Sequence, residues 1–414
     1  MNNDNLPALD VAKMQPYVFL MTQTSDFLST DFLQIGTSAT MAMTQMARDM
    51  RAAGQDVISL SMGEPDFETP AHICEAAMQA IQKGRTRYTA VDGIDELKAA
   101  IRVKFARENS LDYGVDEINV SPGGKAVLFN ALAVTVSKGD EVIIPAPCWV
   151  SYPDMVTLCA GQPVIVPCGP EQGFKLTPEQ LEAAITKHTK WLILNSPSNP
   201  TGAVYSADEL RALAQVLSAY PHVLILCDDI YEHIIYDDLG FTTMAQIAPD
   251  LKSRILTMNG VSKAYAMTGW RIGYAGGPKW LISAMRTYMG QTTSNPSSVS
   301  QWAATAALNG PQSFLKDWQA DYSARRDYVT KRIAQIDRLS CDSPAGAFYS
   351  FVGYDALSEE QTDVALALDV LQKTGVATIA GSAFHMKGHL RLSYSVSQAK
   401  LETAFDRLAD YFQT

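Results

Sequence analysis

Seven short runs of β-branched and apolar residues, at 118–121, 141–144, 163–166, 191–195, 223–228, 254–258 and 272–275, alternate with stretches of helical length and amphipathic pattern. Several runs are apolar nearly throughout, as strands covered on both faces tend to be. Strand, helix, strand repeated over this span predicts an α/β fold: a mostly parallel sheet wrapped by helices, with right-handed crossovers. Two helix starts are well marked. Thr177-Pro178-Glu179-Gln180 offers an N-cap, a proline at the first helical position and a returning glutamine, and Ser206-Ala207-Asp208-Glu209 is a second capping box.

The flanks differ from this core. The first 33 residues lack a strong period and read as an arm that packs on something else. A long helical stretch at 311–338 leads into a second, α+β region that runs to Thr414. The expected organisation is an N-terminal arm (1–33), a large domain (61–305) and a smaller α+β domain built from both ends (34–60 and 306–414). A chain of 414 residues can bury a core of that size.

Net charge is −11 with no basic stripe, which argues against nucleic acid as a partner, since phosphate binding needs clustered Lys and Arg. Residues 1–10 are polar and acidic, unlike a signal peptide. No apolar run approaches bilayer length, so no membrane partner is expected. The six cysteines are scattered without a CxxC pair, which reads as reduced thiols in a cytoplasmic protein. The six histidines show no metal-binding pattern, so no metal is assigned.

Four features carry candidate chemistry. Ser121-Pro122-Gly123-Gly124-Lys125 follows a strand and opens an apolar helix over 126–136. Backbone N–H groups at such a helix start make a phosphate seat, although a Gly-Gly turn is by itself more often structural. Asn195-Ser196-Pro197-Ser198-Asn199-Pro200-Thr201-Gly202 directly follows another strand. Parallel sheets bind ligands at that end, and a plain Pro/Gly turn is the competing reading. Asp228-Asp229-Ile230-Tyr231 ends a buried strand, where a carboxylate needs a partner, catalytic or structural. In Ser262-Lys263-Ala264-Tyr265-Ala266-Met267-Thr268-Gly269-Trp270-Arg271-Ile272-Gly273-Tyr274, one lysine sits among small and apolar residues. Desolvation would make it nucleophilic; taken alone, such a lysine is usually a snorkelling surface residue.

Taken in order, these motifs resemble the class I aminotransferases of pyridoxal-phosphate fold type I, nearest the bacterial aspartate/prephenate branch. The resemblance runs from about Thr37 to the C-terminus. It also includes Gly63-Glu64-Pro65-Asp66-Phe67, Trp149 in Pro147-Cys148-Trp149-Val150-Ser151-Tyr152, and Arg391 in His389-Leu390-Arg391-Leu392-Ser393-Tyr394. It implies a transaminase that moves an amino group between an L-amino acid, acidic or aromatic, and a 2-oxo acid by a ping-pong mechanism. Its cofactor would be pyridoxal 5'-phosphate, held as a Schiff base on Lys263.

The resemblance also implies roles. Lys263 would shuttle the proton as well as hold the cofactor. Asp228 would pair with the pyridine nitrogen, and Tyr231 and Asn199 would hydrogen-bond the phenolic oxygen. Trp149 would cover the ring face. Gly124, Lys125 and Arg271 would cup the phosphate, joined by Tyr88 from the other subunit of a homodimer. Arg391 would clamp the substrate's α-carboxylate, with Gly63, Trp149 and Asn199 beside it. A cis Asn199-Pro200 bond is expected. Three positions depart from the family pattern, the least of them an alanine in Ala380-Gly381-Ser382-Ala383-Phe384 where relatives often have proline. Gly260 stands where many relatives have a phosphate-binding serine, for which Ser262 and Lys125 could compensate. Gly36 stands where dicarboxylate-specific relatives often have a lysine, before Thr37-Ser38-Ala39-Thr40, which points to a broader donor range. Two other readings compete: a lyase or decarboxylase sharing the same lysine, and a cofactor-sensing regulator, for which the chain lacks a basic DNA-binding module.

Overall fold

The computed structural model describes residues 27–36, 39–355 and 362–413. Residues 1–37 and 38–414 are separate units. In the first, Thr30–Leu33 forms one helical turn; most of the expected arm, 1–26, lies outside the described residues.

All seven expected strands form, in one sheet. They are β1 (Ile118–Ser121), β2 (Glu141–Ala146), β3 (Gln162–Pro167), β4 (Thr189–Asn195), β5 (Leu224–Asp228), β6 (Ile255–Gly260) and β7 (Gly273–Gly276). Their order across the sheet is β1-β7-β6-β5-β4-β2-β3. The period-2 geometry of a strand divides the side chains between two apolar layers. Leu192, Leu194, Ile225 and Cys227 face one cluster, while Trp191, Ile193 and Leu226 face the other.

Strand β7 is antiparallel to both neighbours. Residues 261–272 form turns and the single 3-10 turn Thr268–Trp270 instead of a crossover helix, so the chain turns back on itself. Both marked helix starts carry reciprocal capping boxes, at Thr177 before Pro178–Ala184 and at Ser206 before Ala207–Ser218. Each such cap is worth about 1 kcal/mol.

The long helix expected after residue 311 spans Ser313–Ile333. Beyond it lie β8 (Leu339–Ser340), β9 (Tyr349–Tyr354), β10 (Ile379–Ala380) and β11 (His389–Ser393), an antiparallel sheet in the order β10-β11-β9-β8. A third apolar cluster unites this sheet with residues of 43–60 and with Tyr231, Ile234 and Tyr236. Ile58–Ser59 pairs in parallel with Val376–Ala377, tying the two ends of this region together. Among the described residues, no helix is long and apolar enough to cross a membrane.

Candidate active site

Strands β1, β2, β4, β5 and β6 all point their C-terminal ends to one edge of the sheet. The loops that leave them surround a cavity of about 460 Å³. Gly63, Gly124, Lys125, Trp149, Asn199, Asp228, Tyr231, Lys263, Arg271 and Arg391 all line it. Tyr88 does not; it is 92% exposed on this chain.

Asp228 is the last residue of β5 and is buried. Its Oδ2 accepts a 2.6 Å hydrogen bond from the Tyr152 hydroxyl, and its Oδ1 accepts from the Ile230 N–H at 3.3 Å. Burial pushes its pKa up to about 6, opposed by the Tyr152 and Ile230 hydrogen bonds and the Lys263 charge. Asn195 braces the same strand end. Its amide donates to the Asp228 carbonyl at 2.8 Å, and its Oδ1 accepts from the Asn199 N–H at 2.9 Å.

Lys263 follows β6, and its Nζ donates to the Gly63 carbonyl. Enclosure of the amine pushes its pKa down to about 8. Glu64 and Asp228 pull the other way, while Arg391 and Arg271 reinforce the drop. Burial also raises the Tyr231 phenol well above its usual range.

Arg391 lies on β11, opposite Phe351 in register, and is 2% exposed. It donates to Asn199 Oδ1 at 3.0 Å and to the Ser61 carbonyl at 2.6 Å, while its buried Nε has no partner among the described residues. A guanidinium can only donate, so Asn199 must present its oxygen to Arg391, and its NH₂ group remains for another acceptor. The Asn199-Pro200 bond is cis as expected, and so are Ala146-Pro147 and Ser196-Pro197, which were not anticipated.

At the phosphate-seat candidate, the helix begins at Gly124, two residues earlier than expected, and its N-cap Gly123 has φ 95° with no side-chain cap. The N–H groups of Gly124 and Lys125 take no acceptor among the described residues. The Arg271 guanidinium packs directly over Gly123, where a side chain would overlap it. Arg271 donates to the Thr268 carbonyl at 3.0 Å. Lys125 donates to Ser151 Oγ at 3.0 Å and lies 4.8 Å from the Trp149 ring centroid. The glycine at 260 has a local reason: a Cβ there would come within 3.0 Å of Ile230 and 3.1 Å of the Ile272 carbonyl. Ser262, offered as its substitute, does line the cavity.

Sequence reasoning missed Tyr152, Asn195 and Tyr349 as cavity residues. Tyr152 stood within a quoted motif and Asn195 headed another, so both were within reach. Outside the cavity, Glu108, Glu232 and His233 bring possible ligand atoms within 4.8 Å of one another. The Lys104 ammonium pairs with both glutamates there and supplies the balancing charge.

Residues 55–408 match the family model described as aminotransferase class I and II. The chain belongs to that family of pyridoxal-phosphate-dependent enzymes and is an aminotransferase. It is 53% identical over 390 residues to the aspartate/prephenate aminotransferase of Cereibacter sphaeroides, covering 92% of this chain and 98% of that one. It is 51% identical over 383 residues to an aspartate aminotransferase of Rhizobium meliloti, covering 91% of this chain and 93% of the relative. Among solved structures, aspartate aminotransferase from Rhizobium meliloti superposes with a TM-score of 0.91 at 49% identity, covering 93% of this chain and 98% of that one. The Thermus thermophilus aspartate aminotransferase with maleate gives 0.89 at 40%, covering 92% and 99%.

Proposed function

We propose that this cavity binds pyridoxal 5'-phosphate on Lys263 and runs both halves of a ping-pong transamination, with aspartate, glutamate or an aromatic amino acid as donor. One observation carries the reading. Lys125, Lys263, Arg271 and Arg391 line one cavity, and among the described residues none has a carboxylate within ion-pair distance. Such a cluster of cations suits anionic ligands, and the two unpaired N–H groups of Gly124 and Lys125 suit a phosphate in particular.

The residues fit the cofactor in detail. Gly124, Lys125 and Arg271 hold the phosphate, Trp149 covers the ring, and Tyr231 with the Asn199 amide donates to the phenolic oxygen. Asp228, kept ionised near neutral pH by Tyr152 and Ile230, holds the proton on the pyridine nitrogen. When bound, the cofactor supplies an electron sink for charge developing at the substrate's Cα. Arg391 grips the α-carboxylate and sets the Cα–H bond across the ring face. Lys263, released as a free amine when the substrate's own amine takes its place, would then accept the proton from Cα and give it back, a task suited to an amine on a flexible stem.

The names of the relatives favour an acidic donor. Gly36 favours a broader range, and the Thr37-Ser38 segment after it lies outside the described residues. A homodimer belongs to the same reading. Tyr88 is too exposed to serve its own cavity and would complete the phosphate cup of a second copy. So do a division into a large domain (61–305) and a small one (34–60 with 306–414), supported by the separate apolar clusters, and a cytoplasmic setting, supported by six free cysteines. The test is a half-reaction screen. A single amino donor, without acceptor, should convert the bound cofactor's absorbance stoichiometrically and stop; continuous release of ammonia or carbon dioxide would identify a lyase or decarboxylase instead.

A further inference from the structure

Tyr349 lies outside every motif, yet it touches three residues given roles above. It is fully buried at the start of β9. Its hydroxyl is 2.8 Å from that of Tyr231, and its ring centroid is 4.6 Å from the Arg391 guanidinium carbon. A methyl on Gly63 would sit 2.7 Å from the same hydroxyl oxygen, and the three atoms nearest to it all belong to Tyr349.

A phenol carries one proton. If Tyr231 gives that proton into the cavity, the 2.8 Å contact between the two hydroxyls must run the other way, with Tyr349 donating to Tyr231. The Tyr349 ring has a separate task. With Phe384 at 5.0 Å, it flanks Arg391 and holds the plane of the guanidinium.

We propose that Tyr349 is a positioning residue with two separable parts. Its hydroxyl turns the Tyr231 proton toward the cofactor, and its ring fixes Arg391 for the substrate carboxylate. Residue 63 is then glycine because the Tyr349 hydroxyl fills the space a side chain would need. The proposal rests on the roles assigned to Tyr231 and Arg391.

Holoenzyme variants separate the two parts. Tyr349→Phe keeps the ring, so KM for the amino donor should stay within about twofold while kcat falls about three- to tenfold, the effect of one hydrogen bond. The pH midpoint of the bound cofactor's visible absorbance should rise, in the direction given by Tyr231→Phe but less far. A weaker donation leaves the phenolic oxygen more anionic and favours a proton on the nitrogen beside it. Tyr349→Leu removes the ring as well and should raise KM about tenfold more. In cofactor-free protein, Gly63→Ala should lower the melting temperature. Adding Tyr349→Phe should restore it, because the nearest remaining ring atom is 3.7 Å away.

An unmoved absorbance midpoint in Tyr349→Phe, or a Gly63→Ala defect that Tyr349→Phe leaves in place, overturns the proposal. Tyr231→Phe and Arg391→Lys are measured alongside. If they leave the midpoint and KM unchanged, the underlying roles fail and the proposal falls with them; if they act while Tyr349→Phe does not, the proposal alone falls.

Discussion

Cofactor-free protein should capture pyridoxal phosphate at a rate that titrates near pH 8. Only the neutral amine of Lys263 attacks an aldehyde, and enclosure of that amine, helped by Arg391 and Arg271, brings its pKa down to about 8. At pH 7 the neutral fraction is then about one in ten, against about three in ten thousand for a lysine left near 10.5. The cavity thus makes the lysine roughly 300 times more available at neutral pH. The capture rate should climb about 50-fold between pH 6 and pH 8 and level off above pH 9, as the neutral form of a group titrating near 8 must. Stopped-flow absorbance at limiting cofactor measures this directly. Arg391→Gln removes one repelling charge and should move the midpoint upward, by less than about one unit because burial is the larger cause. A rate that keeps rising tenfold per unit to pH 10 would refute the reasoning. The same shift has a stability signature. Between pH 8 and 10.5 the unfolded chain holds a proton that the folded one has released, so this lysine's contribution favours the folded state increasingly as pH rises through that window.

Lys263→Ala should abolish turnover while leaving the cofactor-free protein folded; residual transamination above background would remove the lysine from the mechanism. Asp228→Ala should slow the half-reaction by at least about a thousandfold, since the electron sink loses its counter-charge in an enclosed site. A variant within tenfold of the parent would contradict the role. Sedimentation should show a dimer, and Tyr88→Phe should weaken phosphate-dependent cofactor retention without changing the monomer's fold; an active monomer would rule out the shared site. In steady state, aspartate should be preferred over phenylalanine by less than about a thousandfold, on the order of 4 kcal/mol, and a larger ratio would reveal a cation dedicated to the distal carboxylate.

The residues legible in the sequence are those whose chemistry is written into a local pattern. Asp228, Asn199 and Lys263 each sit at or just after an apolar strand, and the alternation that buries the strand also fixes where its end emerges. Arg391 was different: in an alternating strand an arginine reads as solvated, and the family resemblance, rather than the pattern, singled it out. The structure supplies the physical reason for its burial, with Asn199 and the Ser61 carbonyl accepting two of its donors.

Tyr349 marks where local reading ends. In sequence it is one aromatic residue in a strand of the second sheet, indistinguishable from core neighbours such as Phe348 and Phe351, and 118 residues from Tyr231. Its significance arises from β9 lying beside β11 in antiparallel register, which sets the Tyr349 ring against Arg391 while the hydroxyl reaches the end of β5. Under the roles proposed for them, one side chain then links Arg391, at the substrate's carboxylate, to Tyr231, at the cofactor. That link also accounts for Gly63, since the constraint on that position is the hydroxyl of a residue almost three hundred positions away, and it falls outside anything the local sequence could encode.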